Sequence, residues 1–262
     1  MRILYHHRIA SKDGQFVHID EIIRALNALD CEIEVVSPSV AEGADFGSDG
    51  GFVSKLKKAI PKFCYELMEL AYGGVIAYKL VSSILKERPA FIYERYNLYQ
   101  PVGVIVSKLF NIPILLEINA PLAQERAKYN GGLGIPWLAK AIENWTWRNA
   151  DVCFPVTAVL AKHLHEAGVK RGKIRVIHNG IRQSVYDAAI DKPISNGEDI
   201  VIGFVGFMHL TCGVEKAIEL LAAHPEINAR LVCIGDGDIL SSLKERAAVL
   251  GISDKVDFKG LC

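Results

Sequence analysis

Residues 203–222 read GFVGFMHLTCGVEKAIELLA. A β-rich run ends at Gly206, and after Gly213 the apolar period of Val214, Ala217, Ile218 and Leu221 marks a helix. A loop that faces a helix N-terminus suits the holding of a phosphate. Gly206 lets the anion reach the backbone, and the helix from Gly213 presents N–H groups and the positive end of its dipole. His209 and Lys216 are the nearby side chains that add positive charge. The plain alternative is an ordinary strand-to-helix turn.

Other stretches put polar groups where strands end. Asp13, Gly14, Gln15 and His18 follow the first strand, and in open α/β sheets ligands bind beyond the carboxyl ends of strands. Gly14 permits a tight turn, while Gln15 and His18 can contact a ligand; a turn before a half-exposed helix explains them equally well. Glu117 and Asn119 alternate on a strand and share its face. Asparagine exchanges no proton, so Asn119 would position a substrate rather than act as a base; otherwise it caps the next turn. Gly235-Asp236-Gly237 ends another strand, with Asp238 a helix N-cap. Glu94 and Arg95 read as an ion pair that orders a loop.

The elements that must position these groups alternate. Strands are expected at 3–5, 32–37, 91–93, 114–118, 152–156 and 174–177, and helices at 16–29, up to 86, 99–110, 136–149 and 158–167. Residues 183–197 carry Ser, Asp, Pro, Asn and Gly with little apolar period and read as a linker. Alternation then resumes, with strands at 200–205, 229–234 and 256–258 around helices at 214–223 and 239–250. Such alternation means βαβ units and parallel sheets.

Composition narrows the function. The 262 residues hold 30 basic and 30 acidic side chains, and this neutral balance argues against nucleic acid as a partner. Six cysteines stand singly, with neither a zinc-type cluster nor a disulfide framework, and Cys31, Cys153 and Cys233 read as buried thiols in a reducing cytoplasm. Residues 63–85 are apolar, but Glu66, Glu69 and Lys79 interrupt them, which suits a buried helix better than a membrane span. Lys55, Lys57, Lys58 and Lys62 precede that run; they are a solvated face or a peripheral contact with anionic lipid at the inner membrane face. Trp137, Trp145 and Trp147 read as packing residues.

Taken in order, DGQFVHIDEI, YERYN, LLEINAPLAQE, VTAVLAKHLHEAGV, KIRVIHNGI, GFVGF, CGVEKAIELL, LVCIGDGD and LGISDKVDFKG resemble the family-4 retaining glycosyltransferases over nearly the whole chain. The resemblance implies an α/β protein of two Rossmann-like domains (GT-B): an acceptor-side domain over 1–182 and an incomplete nucleotide-sugar domain over 198–262. The implied reaction moves a sugar from a nucleotide diphosphate sugar to a carbohydrate or lipid-linked acceptor, with retention and without cofactor or metal. By the same resemblance Gly206, His209, Gly213, Lys216, Gly235 and Asp236 fall on the donor side. Gly14, Gln15 and His18 fall on the acceptor side, and Asn119, with Glu117, stands where relatives place a histidine near the reacting sugar. The family's loop Arg and Lys are replaced by Phe207 or Met208 and by Cys212. Its paired donor glutamates lie beyond residue 262, so weak or absent transfer is expected, as is exposure of the apolar side chains of 256–258. A non-catalytic nucleotide-binding protein and a GT-B nucleotide-sugar epimerase are the alternatives.

Overall fold

The computed structural model describes residues 1–9, 14–38, 60–128, 132–180, 182 and 200–261. The linker at 183–197, Asp13 and Lys55, Lys57 and Lys58 lie outside the described residues. The chain divides into two compact units, Met1–Ile181 and Arg182–Cys262.

In the first unit, strands β1 (Arg2–His6), β2 (Glu32–Val36), β3 (Phe91–Arg95), β4 (Ile114–Ile118) and β5 (Val152–Pro155) form one parallel sheet in the order β2-β1-β3-β4-β5. The helices are α1 (Gly14–Asn27), α2 (Lys62–Lys86), α3 (Val102–Phe110), α4 (Leu122–Lys128), α5 (Pro136–Asn149) and α6 (Ala158–Glu166). Near-continuous apolar strands form a sheet covered on both faces. Leu4, Ile92 and Ile114 are register partners, and they pack with Ile76 and Leu80 of α2 and Val104 of α3.

Helix α2 runs unbroken through Gly73 and Gly74 until Glu87 turns extended. Its face of Ile76, Leu80 and Ile84 is buried, yet Phe63, Leu67, Met68, Tyr78 and Leu85 are exposed. By length and composition alone this helix could cross a membrane. Its Glu66, buried at 1% exposure, accepts from the N–H groups of Gly134 (2.7 Å) and Ile135 (2.8 Å) at the start of α5. A carboxylate there satisfies donors that a helix start leaves unpaired. Glu66→Ala should therefore cost about 2 kcal/mol in urea unfolding followed by tryptophan fluorescence, since a hydrogen bond to a charged group contributes about that much. An unchanged midpoint would show that water replaces the carboxylate.

The second unit holds β6 (Ile200–Val205), α7 (Val214–Ala223), β7 (Ala229–Ile234), α8 (Leu240–Val249) and β8 (Val256–Gly260), with parallel order β6-β7-β8. Val214, Ile218 and Leu221 of α7, Leu231 and Cys233 of β7, and Leu243 and Ala247 of α8 make its core.

Several expectations are corrected. Residues 174–177 form a single parallel bridge, Cys153 to Ile174, instead of a strand. Arg175 and Ile177 donate to the carbonyls of Cys153 and Pro155, but Pro155 has no N–H for the return bond. Helix α4 was not foreseen; its seven residues are too few to show a period. Val256 of β8 is buried and Phe258 half-buried beneath Lys244, whereas the exposed apolar side chains are Ile200, Val201 and Val205 of the other edge strand, β6. Trp147 is fully buried, but Trp137 and Trp145 are exposed, and Cys31 is only partly covered.

Candidate functional site

The carboxyl ends of β1, β3 and β4 carry charge on both faces of the sheet. Glu94 and Arg95 do not pair with each other, because successive strand residues point to opposite faces. On one face His6 Nδ1 donates to Glu94 Oε2 at 2.9 Å, both side chains being buried. Only glycine fits beside them at 103: a Cβ there would lie 1.5 Å from Glu94 Oε2.

On the other face Arg95 Nη1 donates to Glu117 Oε1 at 2.7 Å, and Arg95 Nη2 to Gln15 Oε1 at 3.3 Å. Glu117 also accepts from His18 Nε2 (3.2 Å), the Tyr93 hydroxyl (3.0 Å) and Asn119 Nδ2. Burial pushes the Glu117 carboxyl up, but the hydrogen bonds from His18 and Asn119 and the charge of Arg95 outweigh it, and the net result lies below the usual range. It stays ionised, so His18 donates through Nε2. Burial above all, with the charges of His6 and Arg95, holds the His7 imidazole down at about 4. Its Nδ1 accepts from the Ile9 N–H at 3.2 Å, so the neutral ring carries its proton on Nε2.

Above this network lies a cleft of about 490 Å³ within the first unit. Gln15 and Asn119 line it together with Arg8, Arg95, Asn97 and Glu125. Asn119 gives one Nδ2 hydrogen to Glu117, which leaves its other Nδ2 hydrogen and Oδ1 for a ligand. Glu117 does not line the cleft; at 3% exposure it lies beneath, holding Arg95, Asn119 and His18 in place. His18 also stays below the lining, and Gly14 begins α1 with open space around its Cα. The arrangement can bind and orient a polyol through amides and guanidinium groups.

In the second unit, Gly206 donates its N–H to Ile234 O at 3.0 Å, and Met208 donates to Asp236 O at 2.8 Å. The Gly206 amide, expected to face a phosphate, is thus used inside the fold. Gly213 caps α7 in the left-handed region, and no side chain caps that helix. The N–H groups of Val214 and Glu215 are therefore the donors the helix offers at its start. Lys216 is exposed in the first turn, beside the acidic Glu215. His209 pairs with Asp238 at 2.6 Å, both exposed, so Asp238 does not cap α8, which starts after Ile239. Asp236 Oδ1 accepts from the Gly237 N–H at 2.8 Å, and Gly235 is buried against the Gly206 carbonyl. Cys212 leans partly buried on the core of this unit. Among the described residues no group of three or more His, Cys, Asp or Glu could hold a metal ion.

Residues 12–184 match the profile of Glycosyltransferase Family 4. The chain belongs to that family. The matched span contains most of the cleft lining, from Gln15 to Asn179. No curated protein sequence matches the chain significantly. Among solved structures, HepE of Anabaena in complex with UDP is similar with a TM-score of 0.66 at 16% identity, over 100% of this chain and 70% of its own. The lipopolysaccharide outer core galactosyltransferase WaaB gives 0.65 at 15%, over 100% and 68%. A sucrose-phosphate synthase from Thermosynechococcus elongatus gives 0.64 at 15%, over 100% and 71%. At such identities the likeness carries the fold alone, and the fold is that of the GT-B glycosyltransferases: α/β, with two Rossmann-like parts.

Within this family-4 chain the sequence reading passed over Arg8, Asn97 and Glu125 as cleft residues, and Arg95 as the partner of Glu117. Arg95 was legible, since strand alternation separates it from Glu94. Glu125 and Arg8 lie outside regular strands, and no spacing rule brings them together.

Proposed function

We propose that this family-4 chain transfers a sugar from a nucleotide diphosphate sugar to a hydroxyl acceptor, with retention of the anomeric configuration. The family match over residues 12–184 carries the reading. Its support in the structure is a polar cleft at the carboxyl ends of β1, β3 and β4, which suits an acceptor, and an uncapped helix start in the second unit, which suits a diphosphate. In this reading Asn119 orients the acceptor, Glu117 fixes Asn119 and Arg95, and the α7 amides stabilise the charge on the leaving diphosphate. No side chain is asked to act as nucleophile.

The test is product analysis with a panel of sugar nucleotides, read by nuclear magnetic resonance of the new anomeric centre. A transferred sugar of unchanged configuration is the expected result; an inverted product, or epimerised nucleotide sugar without transfer, would overturn it. Donor binding can be checked separately by titrating UDP. Glu215→Gln removes a negative charge beside the α7 amides and should tighten UDP binding severalfold. Glu215→Pro also removes one donor at a position where proline is tolerated, and should bind about tenfold more weakly than Glu215→Gln. Equal affinities for both variants would place the diphosphate elsewhere.

A further inference from the structure

The two guanidinium groups that line the first unit's cleft differ in what holds them. Arg95 is committed to Glu117 and Gln15. Arg8 follows β1 by two residues, between His7 and the Ile9 N–H that His7 fixes. Its guanidinium carbon lies 5.1 Å from the centroid of the Tyr72 ring, and it has no acidic partner among the described residues. Tyr72 is packed against the core, so the platform under Arg8 is fixed. A guanidinium seated over an aromatic ring still has N–H donors for another group. That planar fork matches the paired oxygens of a phosphate or carboxylate. Glu125, also in the lining, lacks an ion pair among the described residues, and burial raises its carboxyl pKa. Such a carboxylate suits a sugar hydroxyl, not a second anion.

We propose that Arg8 is the oxyanion-binding residue of this cleft, which takes a sugar compound carrying a phosphate or carboxylate, its hydroxyls meeting Glu125 and Asn119. The proposal rests on reading this cleft as a substrate site of the transferase. The oxyanion belongs either to an anionic acceptor or to the donor diphosphate, and the chemistry at Arg8 is the same for both. Arg8 is half-buried and has no acid beside it among the described residues, and a ligand oxyanion would offset the cost of that burial. A volume of about 490 Å³ is of the size usual for sites of small ligands.

The test is titration of the full chain with glucose 1-phosphate, glucuronate, UDP and methyl glucoside by calorimetry. Arg8→Gln should weaken at least one of the three anions about tenfold or more and leave methyl glucoside unchanged, as expected for the loss of a charge-assisted hydrogen bond. Arg8→Lys should restore only part, because an ammonium cannot present the fork. Loss confined to glucose 1-phosphate or glucuronate assigns the oxyanion to the acceptor, and loss confined to UDP assigns it to the donor. Anion affinities equal in the parent and Arg8→Gln, or no anion binding by the parent at millimolar concentration, overturn the proposal. If none of the three anions responds to Arg8→Gln while UDP binding still responds to the Glu215 variants, this proposal falls and the transferase reading stands.

Discussion

Glu117→Leu should destabilise the first unit by about 3–5 kcal/mol, the usual cost of removing one partner from a buried ion pair. Arg95 is 9% exposed at its side chain and would keep its charge without a carboxylate, while Tyr93, His18 and Asn119 would each lose an acceptor. All three tryptophans lie in the first unit, so fluorescence-detected urea unfolding reports this loss alone. The double variant Arg95→Leu/Glu117→Leu should recover much of it, because the stranded charge is gone. The pH dependence follows from the depressed Glu117 carboxyl. A group whose folded value lies below its unfolded one contributes in full above the unfolded value, near 4.3, and loses that contribution as pH falls through the folded value. The parent should therefore weaken more steeply than Glu117→Leu as pH drops below about 5. A single-variant loss under about 1 kcal/mol would mean that Gln15 or water serves Arg95 as well as Glu117 does.

What the sequence disclosed of this network, and what it hid, has a physical reason. The strand Ile114–Ile118 is legible because a parallel strand buried on both faces must be largely apolar. Glu117 and Asn119 stand out because they interrupt such a run at its carboxyl end. Their partners stayed hidden because Gln15, His18, Arg95 and Glu117 meet only through the strand order β2-β1-β3-β4-β5. Alternation predicts parallel strands without fixing which are neighbours. The same reason explains the misplaced exposed edge. The order β6-β7-β8 makes both β6 and β8 edges, but α8 and its following turn cover Val256 while Val205 is left 78% exposed. In the loops after β6 and β7 the glycines were legible by type, yet their work was not. Gly206 read as the place for a phosphate to approach and Gly235 as part of a turn on the donor side, whereas the structure uses them to let two loops touch.

That contact makes Gly235→Ala the substitution with the largest expected effect on the second unit. Gly235 has φ +133, and a Cβ there would lie 2.0 Å from the Gly206 carbonyl oxygen. The obstacle is backbone, so no side chain can swing aside. The Gly206 carbonyl cannot easily retreat either, since the neighbouring N–H groups of Gly206 and Met208 are bonded to Ile234 and Asp236. Backbone strain of this kind costs about 1–3 kcal/mol, and forcing extra volume into a packed region costs about as much again. The sum, about 4 kcal/mol, matches what a lobe this small can be expected to possess. Hydrogen exchange should show amides of β6 and β7 losing most of their protection, with the tryptophan-detected transition of the first unit unmoved. Gly251→Ala is the control: φ is +71, with nothing within 4 Å of its Cβ, so only the left-handed penalty of about 1–2 kcal/mol applies. If both variants lose protection equally, the conformation of the glycine rather than the approach of the two loops governs the stability of the second unit. If Gly235→Ala alone collapses it, the loop after β6 owes its shape to the loop after β7, and any anion held at the start of α7 depends on a residue that never touches it.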